Sequence, residues 1–493
     1  MARFQTPPIQ RGELFRQAAL IDDEWVGGTS LLTVSNPATG LPIGTVPDLG
    51  ADETRDAVAA AHAAQPGWRA LAARDRGIVL RRWASLVQAH EADLARILTF
   101  EQGKPLAEAL AEVRSTAAFL DWYAEEARRV YGEVLPGHRA DKRMLVTRAP
   151  VGVVAAITPW NFPSSMIARK VGPALAVGCT MVLKPSELTP FSALALGLLA
   201  QEAGVPKGVF NIVTGRPKPI GDVMVEDTRI AKLSFTGSTA VGKHLAGRCM
   251  ETMKRVSMEL GGNAPFIVFD DADLDVVLEA ALLAKFRNAG QTCISANRFL
   301  VQAGIYDLFA RLLADRAAGL SLGDGLQDGT RMGPLINAAA IQKVARHADD
   351  AVRLGARILT GGATPDAEGR FYEPTVLVDV PADAMVMREE TFGPLAALHR
   401  FTTEAEAIAI ANGTRAGLAA YLFTRDLARA HRVADVLEYG MVGVNTALLT
   451  SEAAPFGGIK ESGQGREGGF HGLDDYLDIK SVCIDVPAAG AGA

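Results

Sequence analysis

One cysteine near the middle of the chain, Cys293, is the first candidate for covalent chemistry. It follows the tripeptide Gly-Gln-Thr (residues 290–292), which is typical of a turn, and it precedes an apolar stretch. A thiol on a turn can reach a cleft, and a thiol whose pKa is lowered in that cleft is a strong nucleophile. Most cysteines in long chains are instead small buried hydrophobic residues. Whether Cys293 is a nucleophile or a buried hydrophobic residue therefore has to be judged from residues elsewhere in the chain.

Four other segments contain the residue types that a thiol nucleophile needs. They are PWNFP at 159–163, MELGGN at 258–263, EETFGP at 389–394 and PFGGIK at 455–460. Asn161, in a loop held by two prolines, can donate its side-chain N–H to an oxyanion together with the backbone N–H of Cys293. Glu259 precedes two glycines that permit close approach of the backbone, and it can activate water as a general base. The alternatives are an ordinary turn at Asn161 and a surface carboxylate at Glu259.

In this order, the five segments resemble the aldehyde dehydrogenase family, and the resemblance extends from residues 20–25 to the last strand near Lys480. Three more segments are similar to those of succinate-semialdehyde dehydrogenases: RKVGP at 169–173, APFIVFDDAD at 264–273 and KFRN at 285–288. The resemblance implies NAD(P)-dependent oxidation of succinate semialdehyde to succinate. It further implies that Cys293 forms a thiohemiacetal and then a thioester, and that water activated by Glu259 hydrolyses the thioester.

The pattern of apolar segments indicates the fold class. From residue 151 to residue 262, strand-like apolar runs alternate with helical patterns, which is typical of a doubly wound parallel sheet. A second alternating block follows to about residue 443. We therefore expect an α/β protein with a Rossmann-like cofactor domain and a second α/β catalytic domain. The resemblance adds a β oligomerisation arm that joins subunits.

The predicted domain boundaries follow from these blocks. Residues 1–136 and 157–263 are assigned to the NAD(P)-binding domain, and residues 264–448 are assigned to the catalytic domain. Residues 137–156 and 475–493 are assigned to the arm and the C-terminal tail, whose Ala/Gly-rich last seven residues are expected to be disordered. The arm implies a homo-oligomer, either a dimer or a tetramer.

Composition argues against several classes of partner. The 493 residues are 48% hydrophobic and 22% charged, and the net charge of −6 disfavours nucleic acid or an anionic membrane as the main partner. No apolar run is long enough to span a bilayer. The four cysteines are scattered, which favours a reducing compartment and a cytoplasmic location. The eight histidines show no ligand spacing, so no metal site is expected.

The cofactor site lacks the usual dinucleotide fingerprint, because no G-x-G-x-x-G follows the first strand of the alternating block. Gly237 and Ser238 follow a later strand and either open a helix toward a pyrophosphate or simply cap it. The resemblance favours the cofactor and implies a wider set of contacts: Thr158, Pro159, Trp160, Lys184, Ser186, Glu187, Gly215, Gly237, Ser238, Leu260, Glu390 and Phe392. Glu187 can accept a hydrogen bond from a ribose 2′-hydroxyl but repels a 2′-phosphate, so we expect NAD to be preferred over NADP. Core packing for Leu260 and Phe392 and a surface position for Glu390 are the alternatives.

Two arginines and a threonine are the candidates for binding the substrate carboxylate. Arg169 and Arg287 are close in sequence to the candidate catalytic residues, and a guanidinium pairs well with a carboxylate. The resemblance places a serine hydroxyl beside them, where this chain has Thr450, whose extra methyl group changes the pocket size. Glutarate semialdehyde therefore remains a competing substrate, and structural ion pairs are the alternative for both arginines. Lys170 and Glu467 match positions linked to proton relay in the family.

Three other functions are compatible with parts of the pattern. They are a broad-specificity aldehyde dehydrogenase, a cofactor-independent thiol hydrolase or acyltransferase, and a non-catalytic family member. A hydrolase would not need the cofactor residues, and a non-catalytic protein would be expected to lose some of the three candidate catalytic groups. Many relatives have a second thiol two residues after the nucleophile, but Ser295 stands there in this chain. A disulfide between these near neighbours is therefore not expected.

Overall fold

The computed structural model describes residues 4–365, 368 and 370–486, so the predicted disordered tail at 487–493 lies outside the described residues. The first of two large sheets has eight strands, of which the five central ones are parallel. Its strands are, in spatial order, Glu24–Val26, Ala19–Ile21, Phe210–Ile212, Thr180–Lys184, Val153–Ile157, Ile230–Thr236, Arg255–Glu259 and Gly463–Gln464. The order reverses between Val153–Ile157 and Ile230–Thr236. The sheet is therefore doubly wound, with its switch point at the C-terminal ends of these two strands.

The central strands are apolar on both faces because helices cover both sides of the sheet. In Val153–Ile157, Val154 and Ala156 pack into one hydrophobic core, whereas Val153 and Ala155 pack into another. Continuous apolar runs without polar alternation therefore become parallel strands. The helices around the first sheet are Ala51–Ala70, Ala73–Ala89, Glu91–Gln102, Leu106–Glu126, Ser165–Val177, Phe191–Ala203, Pro217–Glu226 and Thr239–Met250.

The second sheet has seven strands and confirms the predicted second α/β block. Its spatial order is Arg357–Thr360, Thr375–Val378, Leu395–Phe401, Ala296–Gln302, Ala264–Val268, Ala419–Phe423 and Met441–Val444. Arg357–Thr360 runs antiparallel to its neighbour, and the other pairs are parallel. The associated helices are Leu274–Phe286, Tyr306–Ala318, Ala338–Arg353, Met385–Arg388, Glu404–Asn412 and Leu427–Val436.

The predicted arm contains a three-stranded antiparallel sheet. Leu477–Asp485 pairs with Lys142–Pro150 along its whole length, and Glu133–Leu135 pairs with the other edge of Lys142–Pro150. The arm boundary predicted at residue 156 is wrong, because Val153–Ile157 lies inside the first sheet. The physical reason is burial, since Val153–Ile157 is apolar on both faces and the arm strands keep exposed side chains. That the arm joins subunits stays a prediction.

Short elements complete the described chain. Two small sheets pair Leu31–Ser35 with Pro42–Pro47 and Ala416–Gly417 with Ile459–Lys460. Short 3₁₀ helices are Gly12–Leu14, Ala127–Arg129, Arg287–Gly290 and Phe470–Tyr476. Across the described residues, no helix combines the length and the apolar composition needed to cross a bilayer.

Candidate active site

The turn that carries Cys293 has an unusual backbone. It follows the helix Leu274–Phe286, and Asn288 and Ala289 adopt left-handed conformations with φ of 51° and 53°. Such conformations cost non-glycine residues about 1–2 kcal/mol each, so the surroundings must hold the turn in place. The backbone N–H of Asn288 donates to Glu108 Oε2 over 2.8 Å, which is one such restraint. The turn therefore presents the thiol at a fixed position.

A cavity of about 860 Å³ opens onto this turn. It brings together four predicted site residues from distant parts of the sequence, namely Arg169, Arg287, Cys293 and Thr450. The aromatic side chains on its wall include Phe162, Tyr421 and Phe456. Asn161 and Glu259 are buried and do not line this cavity, and neither do the predicted cofactor residues. The cavity therefore has the composition of a substrate site that ends at the thiol.

Asn161 is fixed through both its side chain and its backbone. Its Nδ2 donates to the backbone oxygen of Gln291 over 3.0 Å, and an amide nitrogen carries a second hydrogen for another acceptor. Its backbone oxygen accepts hydrogen bonds from Lys104 Nζ over 2.7 Å and from Asn288 Nδ2 over 3.1 Å. The backbone N–H of Cys293 acts to lower the pKa of the thiol of the same residue. The arrangement can therefore hold an oxyanion that forms beside this sulfur.

The residues that hold Asn161 escape prediction from the sequence. Lys104 forms a buried ion pair with Glu112 over 2.6 Å, and Glu112 Oε1 accepts from the backbone N–H groups of residues 164–165. The sequence contains one signal, because Glu112 lies on the buried face of the helix Leu106–Glu126, where apolar residues are expected. A carboxylate at such a position indicates a buried partner, but it does not indicate which one.

The Cys293 thiol does not have the lowered pKa of a ready nucleophile. Its pKa is raised to about 12, and burial is the main cause. The carboxyl groups of Glu390 and Glu259 act in the same direction, and Arg169 opposes them. The protein groups alone therefore do not activate the thiol.

Glu259 ends the strand Arg255–Glu259 and is buried with both carboxyl oxygens free of hydrogen-bond partners among the described residues. Burial raises its pKa well above the usual range, and Glu467 adds to the increase while Lys170 opposes it. A Cβ atom at Gly457 would lie 2.9 Å from Glu259 Oε1, so only glycine leaves this carboxyl its space. A carboxyl with a raised pKa is a stronger base when ionised, which suits the activation of water.

Lys170 and Glu467 form a buried ion pair over 2.6 Å. Lys170 Nζ also donates to Ser234 Oγ over 3.1 Å. Glu467 is held through its backbone, whose N–H and C=O groups are hydrogen-bonded to Phe456. The charges of this pair act on Glu259, so the structure brings the two predicted relay residues next to the candidate base.

Two buried hydroxyl groups mark the switch point of the first sheet. Thr158 follows Val153–Ile157 and Thr236 ends Ile230–Thr236, and the hydroxyl groups of both lack a partner among the described residues. Lys184 and Glu187, at the end of the next strand, form an ion pair over 2.7 Å. Polar groups without partners at this edge of a doubly wound sheet fit a dinucleotide.

The other predicted cofactor residues surround this edge with mixed outcomes. Ser238 Oγ accepts from Val241 N over 3.4 Å, so the helix-cap interpretation is observed, and the N-terminus of Thr239–Met250 remains partly exposed. Leu260 packs against Gly242, as expected for a core residue. Trp160, which follows Pro159 in the loop, forms an edge-to-face pair with Phe392, with 5.6 Å between the ring centroids. Glu390 accepts a hydrogen bond from the backbone N–H of Gly262 over 3.0 Å. The last three residues, Ser186, Gly215 and Gly237, lie in turns.

Arg169 lies in the cavity wall, and no residue that the structure describes forms the ion pair with it that was its structural alternative. Its guanidinium is stacked between the rings of Phe119 and Phe456, 4.8 and 4.6 Å from their centroids. The residue is 7% exposed, and its Nε and Nη1 atoms have no hydrogen-bond partner among the described residues. Arg287 lies over the ring of Phe162 at 5.3 Å, and Thr450 is exposed at the cavity. The guanidinium of Arg169 therefore has donors to offer to an anion.

A thiol on a rigid turn beside the switch point of a Rossmann-like sheet is the arrangement of a dehydrogenase that acts through a cysteine. The chain belongs to the aldehyde dehydrogenase family, whose model matches residues 25–482. It is therefore an oxidoreductase that oxidises aldehydes with NAD or NADP as the hydride acceptor.

Individual relatives are similar over nearly their whole length. A succinate-semialdehyde dehydrogenase [NADP(+)] from Escherichia coli (strain K12) is 57% identical over 478 residues, covering 97% of this chain and 99% of the relative. A glutarate-semialdehyde dehydrogenase from Pseudomonas putida is 56% identical over 480 residues, covering 97% of this chain and all of the relative. The crystal structure of succinate-semialdehyde dehydrogenase from Burkholderia pseudomallei superposes with a TM-score of 0.96 at 53% identity, covering 97% of this chain and 100% of that chain.

Proposed function

We propose that the protein oxidises succinate semialdehyde to succinate. The observation that carries this proposal is the buried Arg169 guanidinium, which faces the cavity with unpaired donors. A buried cation without a partner is costly, so a carboxylate at the far end of an aldehyde substrate would complete the site. Arg287 and Thr450 line the same cavity and would add further donors. The relatives named above include enzymes for two semialdehydes with a terminal carboxylate.

Chain length separates the two candidate substrates. We expect kcat/KM of the wild-type enzyme to be about tenfold higher for succinate semialdehyde than for glutarate semialdehyde, because one methylene group is worth about 1–3 kcal/mol in a fitted pocket. Thr450→Ser removes a methyl group from the cavity wall and should reduce the preference. Steady-state rates of NADH formation measure both ratios. A preference for glutarate semialdehyde in the wild type would replace the proposed substrate with the longer one.

The residues of the chain supply most of the proposed mechanism. The Cys293 thiolate bonds to the aldehyde carbon, and the oxyanion receives hydrogen bonds from Asn161 Nδ2 and from the backbone N–H of Cys293. NAD(P)⁺ would supply the acceptor for the hydride that leaves this adduct, and a thioester then remains on Cys293. Glu259 then takes a proton from a water molecule as that water attacks the thioester, and the acid product and the thiolate separate. The Glu467 carboxylate, which is paired with the Lys170 ammonium, receives the proton from Glu259.

The residues at the switch point fit the cofactor. We propose that Lys184 and Glu187 hold the adenosine ribose, that Gly237 and Ser238 lie near the pyrophosphate, and that Glu390 holds the nicotinamide ribose. Two observations support this proposal. The hydroxyl groups of Thr158 and Thr236 lack partners among the described residues, and the N-terminus of the helix Thr239–Met250 is partly exposed. The same set would hold either NAD or NADP.

We further propose that NAD is the preferred cofactor. Glu187 forms an ion pair with Lys184 through one of its carboxyl oxygens, and its side chain is about one-third exposed. A ribose 2′-hydroxyl can therefore still reach this carboxylate. The Escherichia coli relative is named for NADP(+), so the preference has to be measured directly. Glu187→Ser should lower the ratio of kcat/KM for NAD over NADP by about tenfold or more, since like-charge repulsion of the 2′-phosphate is lost. Glu251→Ser removes an exposed carboxylate elsewhere and serves as the control, and an unchanged ratio in Glu187→Ser would remove the argument for NAD.

The assembly and the location belong to the same proposal. The arm exposes apolar side chains, among them Val134 and Ile479, which are 76% and 71% exposed and would be covered in a homodimer or homotetramer. All four cysteines are free thiols, as suits a reducing cytoplasm.

A further inference from the structure

A row of buried polar side chains leads away from Glu259 along the first sheet. Alternate residues of a strand face the same side, and the parallel strands Ile230–Thr236 and Arg255–Glu259 pair in register. Ser234 is therefore opposite Ser257, one step from the pair formed by Thr236 and Glu259. Such polar positions interrupt strands that are otherwise apolar, so they call for a physical explanation.

The inner half of this row begins at the ion pair of Lys170 and Glu467. Lys170 Nζ donates to Ser234 Oγ over 3.1 Å, and Ser234 acts on the nearby Tyr476 hydroxyl to lower its pKa, against the larger effect of burial. Tyr476 ends the 3₁₀ helix Phe470–Tyr476 and is buried. The proton acceptor next to Glu259 is therefore connected to two hydroxyl groups farther along the sheet.

The outer half of the row is a chain of three hydrogen-bonded groups. Lys232 Nζ donates to Ser257 Oγ, and Ser257 Oγ donates to Asp475 Oδ2 over 2.9 Å. The ammonium of Lys232 lies 4.8 Å from the ring centroid of Tyr476, which brings the two halves together. Asp475 is half-buried and also accepts from the backbone N–H of Arg466 over 3.3 Å. The row therefore ends at a carboxylate that reaches the solvent. We use the name polar seam for the six residues of this row: Lys170, Ser234, Tyr476, Lys232, Ser257 and Asp475.

Two steps of the proton route lack a direct hydrogen bond between side chains. The step into the polar seam is one, because both carboxyl oxygens of Glu259 and the Oε2 atom of Glu467 have no partner among the described residues. The other is the step from Ser234 to Ser257, which are cross-strand neighbours on the same face of the sheet. Neighbouring strands are about 4.8 Å apart, so rotation of a hydroxyl group or one bridging water spans this step.

Lys232 is poorly explained as a structural residue. It is fully buried, and an apolar side chain of similar volume would avoid the desolvation of an ammonium group. The charged or titratable groups that face it are Asp475, Lys170, Arg255 and Cys179. Burial lowers the pKa of Lys232 to about 8, and Asp475 opposes this change. The amine can therefore gain and lose a proton near neutral pH.

The reaction needs a route for protons. In each turnover, the water that attacks the thioester gives one proton to Glu259, and the acid product releases a second proton directly. Glu259 must lose its proton before the next turnover, yet it is buried and its carboxyl oxygens have no hydrogen-bond partner in the described part of the chain. No oxidant or further reactant is involved, because only a proton moves.

We propose that the polar seam is the exit route for the proton of Glu259, with Lys232 and Asp475 as its outer relay residues. This inference rests on the proposed role of Glu259. The proton passes from Glu259 through Glu467 and Lys170 to the two serines, then by way of Lys232 to Asp475 and to water. Each amine and hydroxyl releases one proton as it accepts another, so the seam returns to its starting state.

Rapid mixing followed by steady-state measurement tests the polar seam. Lys232→Met and Asp475→Asn should keep the rate and size of the first-turnover burst of NADH, because the burst precedes the hydrolysis of the thioester. Their steady-state turnover should fall about tenfold or more, and the solvent isotope effect on turnover in D₂O should rise, because proton release becomes limiting. Asp475→Asn preserves the shape of the side chain, so it keeps the test valid where Lys232→Met folds poorly.

Two further variants serve as references for the results with Lys232→Met and Asp475→Asn. Lys254→Met also removes a buried lysine, one that donates to the backbone oxygens of Asp227 and Ile230 outside the seam, and it should behave like the wild type. Glu259→Gln should keep the burst and lose turnover. If Glu259→Gln shows this separation while Lys232→Met and Asp475→Asn match the wild type, or lose burst and turnover together, the seam is not the route. If Glu259→Gln itself loses the burst, the role of Glu259 in the proposed function fails instead.

Discussion

Cys293→Ala should abolish NADH formation from succinate semialdehyde, with a loss of at least about 10⁴-fold in kcat. An aldehyde C–H bond is a poor hydride donor until a nucleophile has added to the carbon, and alanine offers none. Cofactor binding should persist, because the residues at the switch point of the first sheet are untouched. The substitution removes only a sulfur atom at a turn held by hydrogen bonds to neighbouring segments.

The measurement combines an assay of NADH formation with titration of NAD binding by the quenching of protein fluorescence. Ser295→Ala is a matched control, because it removes one polar atom two residues away on the same turn and should change kcat less than about threefold. Retention of more than one-hundredth of the wild-type rate by Cys293→Ala would show that another group forms the covalent adduct.

Arg169→Met should lower kcat/KM for succinate semialdehyde by about 30-fold to 5000-fold, because truncating one partner of a buried charge pair costs about 2–5 kcal/mol. Methionine keeps an unbranched apolar stem between Phe119 and Phe456, so the aromatic packing is largely preserved. Butanal, which lacks the carboxylate, should react with the variant at a rate close to that of the wild type.

The control for Arg169→Met is Arg331→Met, which changes an exposed arginine on the wall of the same cavity. An exposed charge contributes about 0–1 kcal/mol, so the loss with succinate semialdehyde should stay below about fivefold. Equal losses for succinate semialdehyde and butanal in Arg169→Met would mean that the guanidinium supports the fold of the site and does not bind the carboxylate.

Much of the fold follows from the sequence because parallel strands are buried on both faces. The apolar runs at 180–184 and 375–378 form the strands Thr180–Lys184 and Thr375–Val378. The Gly-Lys-Pro segment at residues 103–105, a typical helix breaker, separates the helices Glu91–Gln102 and Leu106–Glu126. The arm boundary was misplaced because Val153–Ile157 directly follows an arm strand in sequence. Only its burial on both faces distinguishes it.

The motifs around Asn161, Glu259 and Cys293 could be identified from the sequence, but their support could not. The ion pair of Lys104 and Glu112 joins two segments whose contact depends on helix packing. The raised pKa of Cys293 depends on how much of the turn is buried, which no local pattern contains. Three-dimensional placement therefore adds what spacing along the chain cannot provide.

The polar seam shows the same limit. Lys232 and Ser234, and likewise Ser257 and Glu259, alternate with apolar residues, so the sequence marks one polar face on each strand. The groups that complete the seam come from the 3₁₀ helix Phe470–Tyr476, more than 200 residues later in the sequence. A contact over that separation becomes visible only in the folded chain.

The ratio of kcat/KM for succinate semialdehyde to that for butanal, measured on the wild-type enzyme with NAD, tests the central claim most directly. Both aldehydes have a four-carbon chain, so the terminal carboxylate is the main difference between them. A ratio of about 30 or more, equivalent to about 2 kcal/mol, is the result that a paired carboxylate predicts. A ratio near one would contradict the claim and leave a broad aldehyde dehydrogenase whose Arg169 does not bind the substrate.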